Sequence, residues 1–159
     1  MIKPNNITTK AKELNMYTCQ YFNIKELVSP IVYKVLGEKA WMFFDEDVLK
    51  ELDYIRETFG APIVINNWAA GGTLEQCGLR SNKDKLVMNK KTLYLSAHCL
   101  AKGFDLHSGY GNHRKLYDHI HDLIKSGKLK KFKRLENFNS TFTWVHCDCF
   151  QADSIVFNP

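Results

Sequence analysis

The sequence predicts a single α+β domain, an antiparallel sheet with helices packed on one of its faces. Two stretches carry apolar residues at helical spacing: Val48, Leu52, Ile55 and Phe59 in one, and Leu116, Ile120, Leu123 and Ile124 in the other. Residues 62–67, 104–107 and 141–150 instead are β-branched or alternate from side to side. Each helix has one apolar stripe, so each needs a sheet to bury it. Residues 1–44 read as a helical lead-in and residues 45–159 as the core of the same domain.

In the lead-in, Thr9 is placed to cap a short helix over residues 10–19, and Asn23 a second one that stops before Pro30. Residues 45–59 form the first long helix. Asp45, Glu46 and Asp47 stand at its positive end, and Gly60 ends it. A strand over residues 62–67 follows. Residues 68–89 are a long irregular stretch with turns at Gly71, Gly72 and Gly78, and long ordered loops in small domains usually serve function. Residues 92–97 should be a short strand delivering His98, with 104–107 as its return. On that return Phe104 and Leu106 face one side, Asp105 and His107 the other. The second long helix covers residues 112–125 and closes at Gly127. His113, His119 and His121 lie along it, but adjacent ones miss the four-residue step of a helical two-histidine zinc motif, so they read as surface residues.

Residues 128–134 are basic, with Leu129 and Phe132 interleaved. That composition suits a nucleic-acid patch, but an edge strand guarded by lysines is the commoner explanation, so nucleic acid is an unlikely partner. The last strand, residues 141–150, sets Phe142, Trp144, His146, Asp148 and Phe150 on one face. Cys147 and Cys149 point the other way, as small buried hydrophobes rather than metal ligands.

At 159 residues the chain is long enough for one real core, and 45% hydrophobic with 25% charged residues is an ordinary globular composition. No apolar run approaches the roughly 18 residues of a membrane span. The polar start has no apolar signal core, which predicts synthesis in the cytoplasm. Five cysteines without paired spacing favour reduced thiols. The net charge of +5 suits an anionic partner only mildly.

Chemistry concentrates at residues 96–105, which read S-x-H-x-x-x-x-G-x-D with Ser96, His98, Gly103 and Asp105. His98 and Asp105 are good zinc ligands, yet a strand would separate them by roughly 23 Å and a helix by roughly 10 Å. The chain must fold back between them, and Gly103 is a residue that permits a sharp turn. His146, within W-x-H-x-D at residues 144–148, is the best third ligand.

This pair of motifs resembles the zinc D-alanyl-D-alanine carboxypeptidases and their bacterial and phage peptidoglycan endopeptidase relatives, which share the hedgehog-type fold. The resemblance covers roughly residues 61–150. The usual family form is S-x-H-x-x-G-x-A-x-D; here Gly103 takes the small-residue position and Ala101 the earlier glycine position. The resemblance implies a hedgehog/DD-peptidase-like sheet and Zn2+ on His98, Asp105 and His146. Three protein ligands leave the open position of a catalytic rather than a structural site. It implies Arg80 as the anchor of a substrate carboxylate, a task the guanidinium fork suits, against an ordinary surface arginine. Ser96 matches a serine that shapes the site, or equally caps local backbone. Many relatives carry an acid three positions before the last histidine, where this chain has Thr143. Asp148, on the face of His146, is then the candidate catalytic base or the residue that orients the histidine. His107 is near the same face, as a neighbour rather than a ligand.

The implied activity is hydrolysis of peptide bonds in peptidoglycan stems, reached after lysis or as a component of a virion. The alternative is a non-catalytic zinc-containing relative that binds cell wall or builds a virion alongside other virion proteins.

Overall fold

The computed structural model describes residues 16–159. The expected helix over residues 10–19 lies largely outside them, and residues 16–19 are not helical. Asn23 and Glu26 form a reciprocal capping box that starts α1 (Ile24–Leu27). Pro30 ends nothing by itself. It opens a further helix that the sequence reading passed over, α2 (Pro30–Leu36), where its missing N–H is harmless in the first turn and Ser29 caps Val32. A 3-10 turn over Gly37–Phe43 leads to α3 (Glu46–Phe59), capped by Asp45 and ended by Gly60 at φ 69°.

The expected strand at residues 62–67 shrinks to β1 (Ile63–Val64). Asn66 explains why. Its side chain donates to the carbonyls of Glu26 and Val28 and accepts from the Cys77 N–H, so it ties α1 and the following loop together rather than extending a ladder. The irregular stretch carries a 3-10 turn at Trp68–Ala70 and the short α4 (Lys85–Met88). Residues 92–96 are not a strand. His98 instead sits on a 3-10 turn, Ala97–Leu100.

The remaining elements are β2 (Gly103–Ser108), α5 (His113–Lys125), β3 (Arg134–Glu136), β4 (Val145–Asp148) and β5 (Val156–Phe157). They build one five-stranded sheet in the order β1-β2-β4-β3-β5. Neighbours are antiparallel except the β3–β5 pair, which corrects the expectation of a wholly antiparallel sheet. The chain reverses after β3 to form β4 and again before β5, so β5 must run the same way as β3.

Alternation gives the sheet two unlike faces. Phe104, Leu106, Leu135, Val145 and Cys147 are fully buried beneath the apolar stripes of α3 and α5, in a core with Leu52, Ile55, Leu116 and Ile120. Phe104 stacks on Phe44 at 6.0 Å and meets Phe132 edge-on at 6.1 Å. The opposite face holds Asp105, His107, Arg134, Glu136, His146 and Asp148.

The basic run at residues 128–134 is not an edge strand. Leu129 and Phe132 are buried, and the Glu51 carboxylate on α3 accepts from the backbone N–H groups of Lys130, Lys131 and Phe132. The interleaved apolar residues are core anchors of a loop. The strand that follows, β3, is interior to the sheet. No helix among the described residues is long and apolar enough to cross a membrane.

Candidate metal centre

His98, Asp105 and His146 come together. One ligand atom from each lies within 4.8 Å of the others. His98 Nε2 is 3.4 Å and His146 Nδ1 2.8 Å from the same oxygen, Asp105 Oδ1. Two ligands bound at about 2.1 Å in tetrahedral geometry stand roughly 3.4 Å apart, so the group could close on a metal ion by drawing together.

Local structure explains how residues seven apart meet. Ser96 caps the 3-10 turn, its hydroxyl accepting from the Cys99 N–H at 3.4 Å, so the alternative reading of Ser96 as a backbone cap describes its contacts. The turn ends at Ala101, which adopts the left-handed conformation at φ 55°; its N–H reaches back to the carbonyls of Ala97 and His98. Lys102 N–H then donates to the Ala97 carbonyl at 2.8 Å. The fold-back expected at Gly103 therefore happens at Ala101, the position where the resembling family has glycine. Gly103 does something else. A Cβ there would lie 2.6 Å from the Ala97 Cβ, so glycine lets the turn press against β2. Asp105 then pairs with His146 across β2–β4, and Gly103 with Asp148.

The outer nitrogen of each histidine is occupied. His98 Nδ1 stands 2.9 Å from the Gly78 carbonyl, which can only accept, so Nδ1 carries the proton and Nε2 faces the site. His146 Nε2 stands 3.1 Å from Asp148 Oδ2, which leaves Nδ1 for the site. Asp105 Oδ2 accepts from Arg80 Nη2 at 3.0 Å, and Arg80 Nε donates to the Gln76 carbonyl. Such partners fix ring orientation and ligand basicity in metal sites. Arg80 is only 9% exposed, so it is not an ordinary surface arginine. Asp148 is 1% exposed and stands behind His146, held by Arg134 Nε at 2.8 Å and the Phe150 N–H at 2.9 Å.

Without a metal these charges lean on one another. Burial would raise the Asp105 carboxyl, but its bonds to His146 and His98 outweigh that and hold it below the usual carboxylate range. Burial would lower His146, but the carboxylates of Asp105 and Asp148 on its two nitrogens raise it to about 9. Burial likewise works against the Asp148 carboxylate, and His146 and Arg134 override it, so its pKa is lowered. Burial raises the Glu136 carboxyl, and the His146 charge only partly offsets it.

The three residues open onto a cleft of about 300 Å³, which Arg80, Tyr94, Ser96, Arg134, Glu136, Trp144 and Asp148 also line. From the residues alone Glu136 is only a fallback acid should Asp148 fail as base, and Arg134 is not expected on this face. Their signal was the alternation of Arg134, Leu135 and Glu136, masked by the lysines before it. His107 stays off the metal set, its Nε2 lying 3.7 Å from Cys77 Sγ. His119 meets Thr58 Oγ1 at 2.9 Å, and His121 lies 3.6 Å from Asp122. All five cysteines are free thiols, with Cys147 in the core.

Compared with known proteins, the chain matches no family model, no curated protein and no solved structure.

Proposed function

We propose that the protein is a zinc-dependent peptidase acting on the peptide stems of bacterial peptidoglycan, of the D-alanyl-D-alanine carboxypeptidase or endopeptidase type. One observation carries the reading: two histidines present their inner nitrogens to one carboxylate oxygen, and an acceptor holds each outer nitrogen. A structural zinc site usually closes with four protein ligands, whereas this group has three and opens onto a cleft. Zinc held by His98, Asp105 and His146 would polarise a scissile carbonyl and make water nucleophilic near neutral pH.

The chain's own residues set up the rest. Asp148 is a positioning residue in this reading, since both of its oxygens are taken up by His146, Arg134 and the Phe150 N–H. Arg80 spends Nε and Nη2 within the protein, and Nη1 is the group left to meet a substrate carboxylate. Digestion of purified peptidoglycan by the zinc-loaded protein, with mass analysis of the fragments, tests the proposal. The expected result is fragments shortened at one defined peptide bond, absent with Asp105→Asn.

A second reading is a non-catalytic zinc protein that binds cell wall or forms part of a virion. It is favoured by Thr143, which is exposed and cannot take a proton where many relatives carry an acid. Intact peptidoglycan after digestion, together with sedimentation of the protein on wall sacculi, would select it.

A further inference from the structure

Thr143 leaves the proposed hydrolysis without an acid three positions before His146, and β4's own acid, Asp148, is already held by His146 and Arg134, whereas β3 supplies another. The β3–β4 ladder pairs Arg134 with Asp148 and Leu135 with Cys147, so one step further Glu136 lies opposite His146. Residues directly opposed in an antiparallel pair carry their Cβ atoms about 4.5–5.5 Å apart. Leu135 is fully buried in the core, so its neighbours Arg134 and Glu136 face the cleft, and Arg134 indeed binds Asp148 there.

Three carboxylates therefore meet at the candidate site, Asp105 among the candidate ligands, and they differ in what they already hold. Asp105 meets His98, His146 and Arg80. Asp148 meets His146, Arg134 and the Phe150 N–H. No donor among the described residues meets the Glu136 carboxylate, and Glu136 is not one of the three grouped ligands. If Asp148 is not the base, Glu136 and Glu75 are the next acids to consider, and Glu75 stands 4.0 Å from Lys85 and does not line the cleft.

We propose that Glu136 is the proton acceptor of this hydrolysis, a role that rests on the peptidase reading above. A Glu136 carboxylate oxygen takes one proton from the attacking water as the water oxygen bonds to the carbonyl carbon. It delivers that proton to the amine nitrogen as the C–N bond breaks. The carboxylate is restored, the products are an acid and an amine, and nothing is oxidised or reduced.

Glu136→Gln tests this, since it keeps the shape and the backbone pairing with Phe157 and removes only the basic oxygen. The expected result is wild-type zinc content, wild-type melting temperature and wild-type calorimetric affinity for an uncleaved stem peptide. Cleavage should fall by about 10²–10⁴-fold, with Glu136→Asp recovering part of the rate. A role limited to packing would instead move peptide affinity and melting temperature along with the rate. Wild-type cleavage by Glu136→Gln, or loss of zinc from it, overturns this role and leaves the peptidase reading standing. A zinc-loaded wild type that cleaves no wall peptide overturns both.

Discussion

His146 and Asp105 face each other across the β2–β4 ladder, with Nδ1 2.8 Å from Oδ1, while His98 approaches that same oxygen from a 3-10 turn. This convergence makes all three residues candidate ligands rather than two of them. His98→Ala, Asp105→Asn and His146→Ala should each drop zinc content from one per chain to near zero by metal analysis. Cys99→Ser should keep full zinc, because Cys99 directs its sulfur to the Ser96 hydroxyl, 3.4 Å away. Full zinc in His98→Ala would remove the assignment.

Asp148 would act on a bound metal only through His146, whose Nε2 it meets at 3.1 Å. Loss of such an outer partner typically costs about 10–100-fold in metal affinity. Asp148→Asn should show a loss of that size in a competition titration against a chelator while still folding. An unchanged affinity would mean that His146 is oriented by packing alone.

Without a metal, the two carboxylates favour a proton on His146 that a bound zinc would displace. Both ring nitrogens face carboxylates, which raise the pKa to about 9 against the opposing effect of burial. Metal binding should therefore release about one proton from His146 at neutral pH, and zinc affinity should rise with pH until roughly that midpoint. Stability follows the same group in the opposite direction. A raised folded-state pKa stabilises the metal-free fold fully below about 6.5, the unfolded value. That contribution is lost as pH rises through about 9. Calorimetry in two buffers of different ionisation enthalpy counts the protons. Thermal melts of the metal-free protein between pH 6 and 9 should show the melting temperature falling.

Gly103 and Ala101 make opposite demands. Adding a methyl at Gly103 puts it 2.6 Å from the Ala97 Cβ, so the His98 turn and the Asp105 strand must separate. Overpacking of this kind costs about 1–3 kcal/mol. Gly103→Ala should lower both melting temperature and zinc affinity. Ala101 already occupies the left-handed region at φ 55°, which costs an L-residue about 1–2 kcal/mol. Ala101→Gly relieves that and adds about 0.4–1 kcal/mol of unfolded-state freedom, so melting temperature should hold or rise slightly. Ala101→Val, β-branched and buried, should lower it.

What could be read from the residues alone was whatever local periodicity and capping control. The helices at Glu46–Phe59 and His113–Lys125 follow from their apolar stripes and from Asp45, Gly60 and Gly127. Alternation assigned Phe104 and Cys147 to the core and Asp105, His146 and Asp148 to the other face. The grouping of His98, Asp105 and His146 as candidate ligands followed from residue type and spacing. Tertiary structure decided what depends on contacts between distant segments. Residues 92–96 stay out of the sheet, and Ala101 rather than Gly103 makes the turn, because close approach of Ala97 to Gly103 reserves that glycine for packing. Arg80 meets Asp105 across 25 residues of sequence, and Glu136 joins His146 in one cleft only because β3 pairs with β4. Periodicity is a property of neighbours a few residues apart. Register between strands depends on how the whole chain closes, so the composition of this cleft could be settled only in three dimensions.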